Sequence, residues 1–122
     1  MISTNAYSTS VSAGISAKNE FSVTIYSVST NNTISSSSYS LSSYSAGVSA
    51  QNLNSDVLFG TSDNNTINSL VYSDNATSVS GGISSLNTRS LISNFNCINN
   101  LVTSNGGSAS IAGGILGINQ MG

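Results

Sequence analysis

The stretch SVSGGISSLN, residues 78–87, returns in nearly the same form as SIAGGILGIN at residues 110–119. Two earlier copies read SVSAGISAKN at 10–19 and SYSAGVSAQN at 43–52, so the steps between copies are 33, 35 and 32 residues. A match of this length at nearly constant spacing indicates an internal repeat of the whole chain.

A second anchor keeps the same spacing. Asn-Asn-Thr-Ile occurs at 31–34 and again at 64–67, and Asn-Asn-Leu-Val follows at 99–102, which gives steps of 33 and 35 residues. Serine-rich sequence produces single matches easily, but two anchors that hold one spacing through three units are much harder to obtain by chance. We delimit one repeat domain over 1–122, with units at about 5–37, 38–72 and 73–106 and a partial unit at 107–122.

The period and the composition together predict the fold class. Periods of 20–50 residues are typical of arrays in which each repeat packs on its neighbours. Serine, asparagine, threonine and glycine are poor helix formers, whereas Phe21, Val23 and Ile25 alternate with other residues as strand residues do. The sequence therefore predicts an all-β fold, a parallel β-helix (β-solenoid) of about three and a half coils with three short strands per coil. We expect right-handed winding, because parallel crossovers are nearly always right-handed.

In such a coil, equivalent residues of successive repeats lie above one another in columns. We expect glycine at a bend where a side chain would clash or φ would be positive, then an inward aliphatic residue, then an asparagine whose amide bonds to the coils above and below. For the asparagines we favour turn chemistry over ligand binding. The predicted columns are Gly14, Gly47, Gly82 and Gly114; Ile15, Val48, Ile83 and Ile115; and Asn19, Asn52, Asn87 and Asn119.

The residue content argues against catalysis. The chain has no histidine and one cysteine, Cys97, whereas most nucleophile–base pairs need histidine and zinc sites need several cysteines or histidines. The remaining candidates are carboxylates, which could act in pairs on polysaccharides, but aspartate is also a common turn residue. These carboxylates are Glu20, Asp56, Asp63 and Asp74. We expect no enzyme activity, no cofactor and no metal site.

Charge and hydropathy exclude two classes of partner. Lys18 and Arg89 are the only cations and the net charge is −2, whereas nucleic-acid binding needs a cluster of basic residues. No apolar run reaches the roughly 18–20 residues of a membrane span. The tyrosines are candidates for a sugar-stacking face, but only Tyr39 and Tyr72 share a repeat register, and we expect them to fill coil corners.

The repeat core resembles the GLUG-type repeat of bacterial and protist surface proteins, which reads roughly Gly-Gly-(Leu/Ile)-(Val/Ala)-Gly-x-Asn. The copy most similar to this motif is Gly-Gly-Ile-Leu-Gly-Ile-Asn at 113–119. The copy at 81–87 lacks the last glycine of the motif, and the first two copies have Ala13 and Ala46 in place of its first glycine. The resemblance implies an extracellular or cell-surface solenoid, often adhesive or structural. It brings no catalytic residues with it.

The function that we expect is structural. The first ten residues and the last thirty-three carry no charge, so the ends of the solenoid lack the charges and prolines that commonly protect sheet edges. We expect end-to-end stacking of copies into a filament, or membership of a longer adhesin-like array. The alternative is a binding module for a polysaccharide, such as a surface glycan, or for ice. It would use a flat Ser/Thr/Asn face, although the column of Thr33 and Thr66 continues with Leu101.

Overall fold

The computed structural model describes residues 1–106 and 108–120, and these residues form fifteen strands and no helix. The chain winds through about four turns, with four strands in each of the first three coils and three in the last. The first two coils comprise β1 (Ile2–Ala6), β2 (Thr9–Ala13), β3 (Ser16–Glu20), β4 (Val23–Thr30), β5 (Thr33–Ser38), β6 (Ser42–Ala46), β7 (Ser49–Leu53) and β8 (Asp56–Asp63). The other two comprise β9 (Thr66–Val71), β10 (Thr77–Gly81), β11 (Ser84–Thr88), β12 (Ile92–Ile98), β13 (Leu101–Asn105), β14 (Ala109–Gly113) and β15 (Leu116–Gln120).

Equivalent strands of successive coils pair in parallel and build four sheets. Sheet A is β1-β5-β9-β13, sheet B is β2-β6-β10-β14, sheet C is β3-β7-β11-β15 and sheet D is β4-β8-β12. The predicted β-solenoid is therefore confirmed, whereas the expected three strands per coil are wrong: each full coil has four sides. Right-handed winding stays a prediction. Of the partial unit that we delimited at 107–122, residues 107, 121 and 122 lie outside the described part of the chain.

Residues with positive φ mark the corner between sheets C and D and the corner between sheets D and A, and they also recur in the middle of the strands of sheet D. Among the residues that the structure describes, nine other than glycine have positive φ, and all nine fall into three columns, each holding one residue from each of the first three coils. Asparagine tolerates this conformation best, because its short side chain can bond to nearby backbone, and one column consists of asparagine alone. The columns are Phe21, Asn54 and Arg89; Tyr26, Phe59 and Asn94; and Asn31, Asn64 and Asn99.

Differences in coil length are confined to the corner between sheets A and B. Sheet A strands pair with steps of 32, 33 and 35 residues, whereas sheet B strands pair with steps of 33, 35 and 32. Sheet C repeats the steps of sheet B, so no residue is gained or lost at the bend between them. This corner absorbs insertions as surface loops do, and the repeat anchors elsewhere keep their register.

The interior is mainly polar, because serine and asparagine outnumber the hydrophobic residues that are buried in the described part of the chain. The buried hydroxyls bond to each other and to backbone carbonyls. Ser36 Oγ lies 2.6 Å from Ser43 Oγ and 2.7 Å from Ser45 Oγ, and Ser45 Oγ donates to the carbonyl of Asn68 at 2.6 Å. Satisfied in this way, small polar side chains fill a narrow interior without the usual cost of burial.

Candidate functional site: the open ends and the columns that reach them

The glycine column lies at the bend between sheets B and C. Backbone N–H groups of Gly14, Gly47 and Gly82 donate to the next coil at 3.2, 3.2 and 3.0 Å. A Cβ at any of these three positions would overlap the carbonyl oxygen of the column glycine in the next coil. No glycine in the described part of the chain has positive φ, so close approach of the backbone, and not φ, requires glycine here.

The aliphatic column is buried only in the inner coils. Val48 and Ile83 are fully buried, whereas Ile15 is 46% and Ile115 54% exposed. The inner two members lie in the core as expected, and the inward orientation of the two outer members stays a prediction. They belong to the first and last coils, where the structure has no further coil to cover the open side.

The asparagine column is a hydrogen-bonded ladder with one interruption. Asn19 Nδ2 donates to Asn52 Oδ1 at 3.0 Å, and Asn87 Nδ2 donates to Asn119 Oδ1 at 2.9 Å. Between these pairs, Asn52 Nδ2 donates instead to Ser84 Oγ at 3.0 Å, which leaves the buried Oδ1 of Asn87 without a protein partner. The asparagines thus join coil to coil.

A second column beside the glycines was not recognised in the sequence. Val79, Ala50 and Ser85 are fully buried, and Ala50 clusters with Val11 and Tyr44 of sheet B. A Cβ at Gly117 would overlap Cγ1 of Val79, which places this position against sheet B. The sequence signal is a small residue three positions after each column glycine: Ala17, Ala50, Ser85 and Gly117.

Cys97 occupies a position that serine fills in the other coils. Ser29, Ser62 and Cys97 share one column, in which Asn65 Nδ2 donates to Ser62 Oγ at 3.1 Å and Asn100 Nδ2 donates to Cys97 Sγ at 3.2 Å. The thiol donates to the carbonyl of Gly114 at 3.0 Å. Burial raises the pKa of the Cys97 thiol, and the bond from Asn100 acts in the opposite direction with the smaller effect.

Three of the four candidate carboxylates bond to local partners, and the fourth, Asp74, lies in the turn between β9 and β10. Asp56 accepts the backbone N–H of Leu91 at 3.0 Å, and Asp63 accepts Nδ2 of Asn99 at 3.3 Å. Glu20 forms an ion pair with Lys18 at 3.2 Å. Within the described residues no group of three metal-binding side chains forms, and no pocket opens at the surface.

The tyrosines form a more regular feature than the repeat spacing suggested. Tyr39 and Tyr72 stack with ring centroids 4.9 Å apart, and the backbone pairing places Tyr7 next to Tyr39 in the same column. The prediction that only two tyrosines share a register is wrong, because the first coil is one residue shorter at this corner. Stacking on Tyr72 occupies one ring face of Tyr39, which leaves less of that ring for a bound sugar.

Within the described part of the chain, the first and last coils present open sheet edges. The strands that pair on one side only are the four of the first coil, β12, and the three of the last coil. The first coil is not free of charge, as the uncharged first ten residues had suggested, since the Lys18–Glu20 ion pair lies on the outer surface of β3. Lys18 and Glu20 are thus charged residues on an edge strand, where such residues commonly protect a sheet edge, whereas β13, β14 and β15 at the other end carry no charge.

No helix within residues 1–106 and 108–120 could cross a membrane. The chain matches no protein-family model, no curated protein and no solved structure.

Proposed function

We propose that the chain is a noncatalytic structural protein whose copies stack end to end into a filament. The observation that carries this proposal is the pair of open ends. Each exposes strand edges with unpaired backbone N–H and C=O groups, and such edges template the pairing of further strands. Four sheets open at the first coil and three at the last, so stacking would extend several ladders at once.

The side chains at the ends support the same proposal. Ile15 and Ile115 lack about half of the burial that their column partners Val48 and Ile83 have. A further coil on either side would bury them and gain the corresponding hydrophobic free energy. The polar columns would gain hydrogen bonds in the same step, as they do between coils within the chain.

Electron microscopy and light scattering of the purified chain test this proposal. We expect rods of variable length whose mean mass rises with protein concentration. Fibre diffraction of aligned rods should give a strong reflection at about 4.8 Å along the axis, the spacing of neighbouring strands. Monodisperse monomers at high concentration and neutral pH would refute the filament.

We place the filament outside the cell or on its surface, on the ground of the GLUG-type resemblance of the repeat core. In the same setting the solenoid would act as a segment of an adhesin-like array. Brief proteolysis of intact source cells tests the location: the chain should be digested while cytoplasmic proteins survive. Protection equal to that of cytoplasmic proteins would refute it.

A binding module is the second candidate, and one observation favours it. The outer surface of sheet A carries an in-register column of small polar side chains, Ser3, Ser35, Asn68 and Thr103, beside the partly exposed column of Thr33, Thr66 and Leu101. A regular polar face of this kind suits a repeating surface such as a polysaccharide or ice. A glycan array and a thermal-hysteresis assay test this role, and binding that Asn68→Leu abolishes would support it.

A further inference from the structure

Hydrogen bonds at the bend between sheets B and C run in one direction. The N–H groups of Gly14, Ile15 and Ser16 donate to carbonyls of the second coil, at Ala46 and Val48. The equivalent groups of the next two coils repeat this pattern, and Gly82, Ile83 and Ser84 donate to Gly113 and Ile115. At this bend each coil therefore donates towards the C-terminal end of the solenoid.

This direction makes the two ends chemically different. At the C-terminal end, the equivalent N–H groups of Gly114, Ile115 and Leu116 face outwards beyond the last described coil. At the N-terminal end, the equivalent carbonyls of Ala13 and Ile15 face outwards before the first coil. Donors at one end therefore match acceptors at the other, whereas two like ends would oppose N–H to N–H or C=O to C=O.

The asparagine ladder has the same polarity. Where it is continuous, Nδ2 of each asparagine points to Oδ1 of the asparagine that follows, as in the pairs Asn19–Asn52 and Asn87–Asn119. Continued beyond the last coil, the ladder brings Nδ2 of Asn119 to Oδ1 of Asn19 in another copy. The amide dipoles then add along the stack as they do within the chain.

Gly114 gives an independent steric indication. A Cβ at Gly14, Gly47 or Gly82 would overlap the carbonyl of the next coil, whereas a Cβ at Gly114 would meet no heavy atom within 4 Å. Nothing within the described chain therefore requires glycine at position 114. A coil stacked beyond it would require glycine there for the same reason as at the other three positions.

From these observations we infer that copies of this chain stack head to tail, with the C-terminal end of one on the N-terminal end of the next. Gly114, Ile115 and Asn119 of one copy then meet Gly14, Ile15 and Asn19 of its neighbour. This inference rests on the end-to-end stacking proposed above and adds the polarity and the register of the contact. It predicts that a filament has two different ends.

Gly114→Ala tests the register. We expect the variant to fold with an unchanged melting temperature at concentrations where the wild-type chain is monomeric, and to lose its filaments. Ala109→Ser is the matched control on the same coil, because Thr9, Ser42 and Thr77 occupy its column, and it should keep the filaments. Filaments of Gly114→Ala as abundant as those of the wild type would overturn the register.

Disulfide cross-linking tests the polarity. In a Cys97→Ser background, Thr9→Cys and Ala109→Cys combined place two thiols on facing ends, where in-register parallel strands lie about 4.8 Å apart, within disulfide reach. Within one chain the two positions are three strand spacings apart, roughly 14 Å, so only disulfides between copies form. We expect oxidation to give a ladder of covalent oligomers.

The single-cysteine variants separate the two proposals. If the stack is head to tail, oxidation of either single-cysteine variant by itself should give no covalent product. Covalent dimers from Thr9→Cys alone or Ala109→Cys alone would show like ends in contact and would overturn the polarity while leaving filaments in place. Absence of wild-type filaments under the microscope would instead overturn the end-to-end stacking, and the polarity with it.

Discussion

The carbonyl oxygen of Gly82 occupies the space into which a side chain at Gly47 would project. The two residues lie in successive coils, and the backbone N–H of Gly47 donates to the carbonyl of Gly81 next to it, at 3.2 Å. The bend between sheets B and C thus brings two backbones together with no room for a methyl group. A close approach of this kind, repeated in each coil, sets the glycine column.

We expect Gly47→Ala to lower the free energy of unfolding by about 3 kcal/mol or more, because the new methyl group meets rigid backbone. Urea denaturation followed by circular dichroism measures the loss. The matched control is Gly114→Ala in the same column, where an added Cβ meets open space and the monomer should change by less than about 0.5 kcal/mol. Equal losses at the two positions would contradict this account of the column.

The serine interior predicts a second contrast, between neighbours on one strand. Ser36 is 2% exposed and its hydroxyl bonds to Ser43 and Ser45, so we expect Ser36→Ala to cost about 1–3 kcal/mol. Ser35 is half-exposed on the outer face, and Ser35→Ala should change stability by less than about 0.5 kcal/mol. Denaturation of both variants under one set of conditions measures the two losses of stability. A larger loss for Ser35→Ala than for Ser36→Ala would mean that Ser35, and not Ser36, faces the interior.

The fold class was predictable from the sequence because glycine and asparagine recur at positions where backbones approach or the chain turns. The four-sided cross-section of the coil was not predictable from the sequence. Residues 35–38 are all serine, so inward and outward positions carry the same side chain and give no alternation to read. Two of the three positive-φ columns were not predictable for a related reason, since Phe21, Tyr26 and Arg89 belong to residue types that disfavour positive φ.

The residues that form the columns of the candidate site were predictable from the sequence, whereas their burial in the first and last coils was not. Equivalent glycines and asparagines could be aligned by spacing alone. The burial of Ile15 and Ile115 could not, because it depends on whether a coil lies beyond them. The place of Tyr7 was missed because a single-residue change in coil length at the corner between sheets A and B shifts its register.

The asparagine ladder predicts a large effect at a buried position. Asn52 is 2% exposed and bonds to Asn19 and Ser84, so Asn52→Leu should cost about 2–4 kcal/mol through unpaired polar groups and overpacking. The adjacent Gln51→Leu is the control, because Leu86 already occupies that column in the next coil. Thermal unfolding of the two variants should show a lower midpoint for Asn52→Leu alone, and matching midpoints would argue against the ladder.

The corner column with Arg89 predicts a stabilising substitution. Arg89 is exposed and has a φ of 51°, a conformation that costs free energy for residues other than glycine and asparagine. We expect Arg89→Gly to raise the free energy of unfolding by about 0.5–1 kcal/mol. Thr88→Gly, one residue earlier at the extended end of β11, should lower it by about 0.5–1 kcal/mol, and a loss at both positions would contradict the left-handed corner.

Cys97 predicts a dependence of stability on alkaline pH. Burial raises the pKa of its thiol above the ordinary value of 9.0, so folding favours the neutral form. The corresponding stability is fully present below pH 9.0 and is lost as pH rises through the higher pKa of the folded state, because the unfolded chain releases its proton first. Cys97→Ser removes this titration and keeps both hydrogen bonds, as Ser62 does in the preceding coil. Unfolding measured from about pH 8 to about pH 10 should therefore show a steeper loss for the wild type than for Cys97→Ser, whereas parallel curves would mean that the thiol titrates alike in both states.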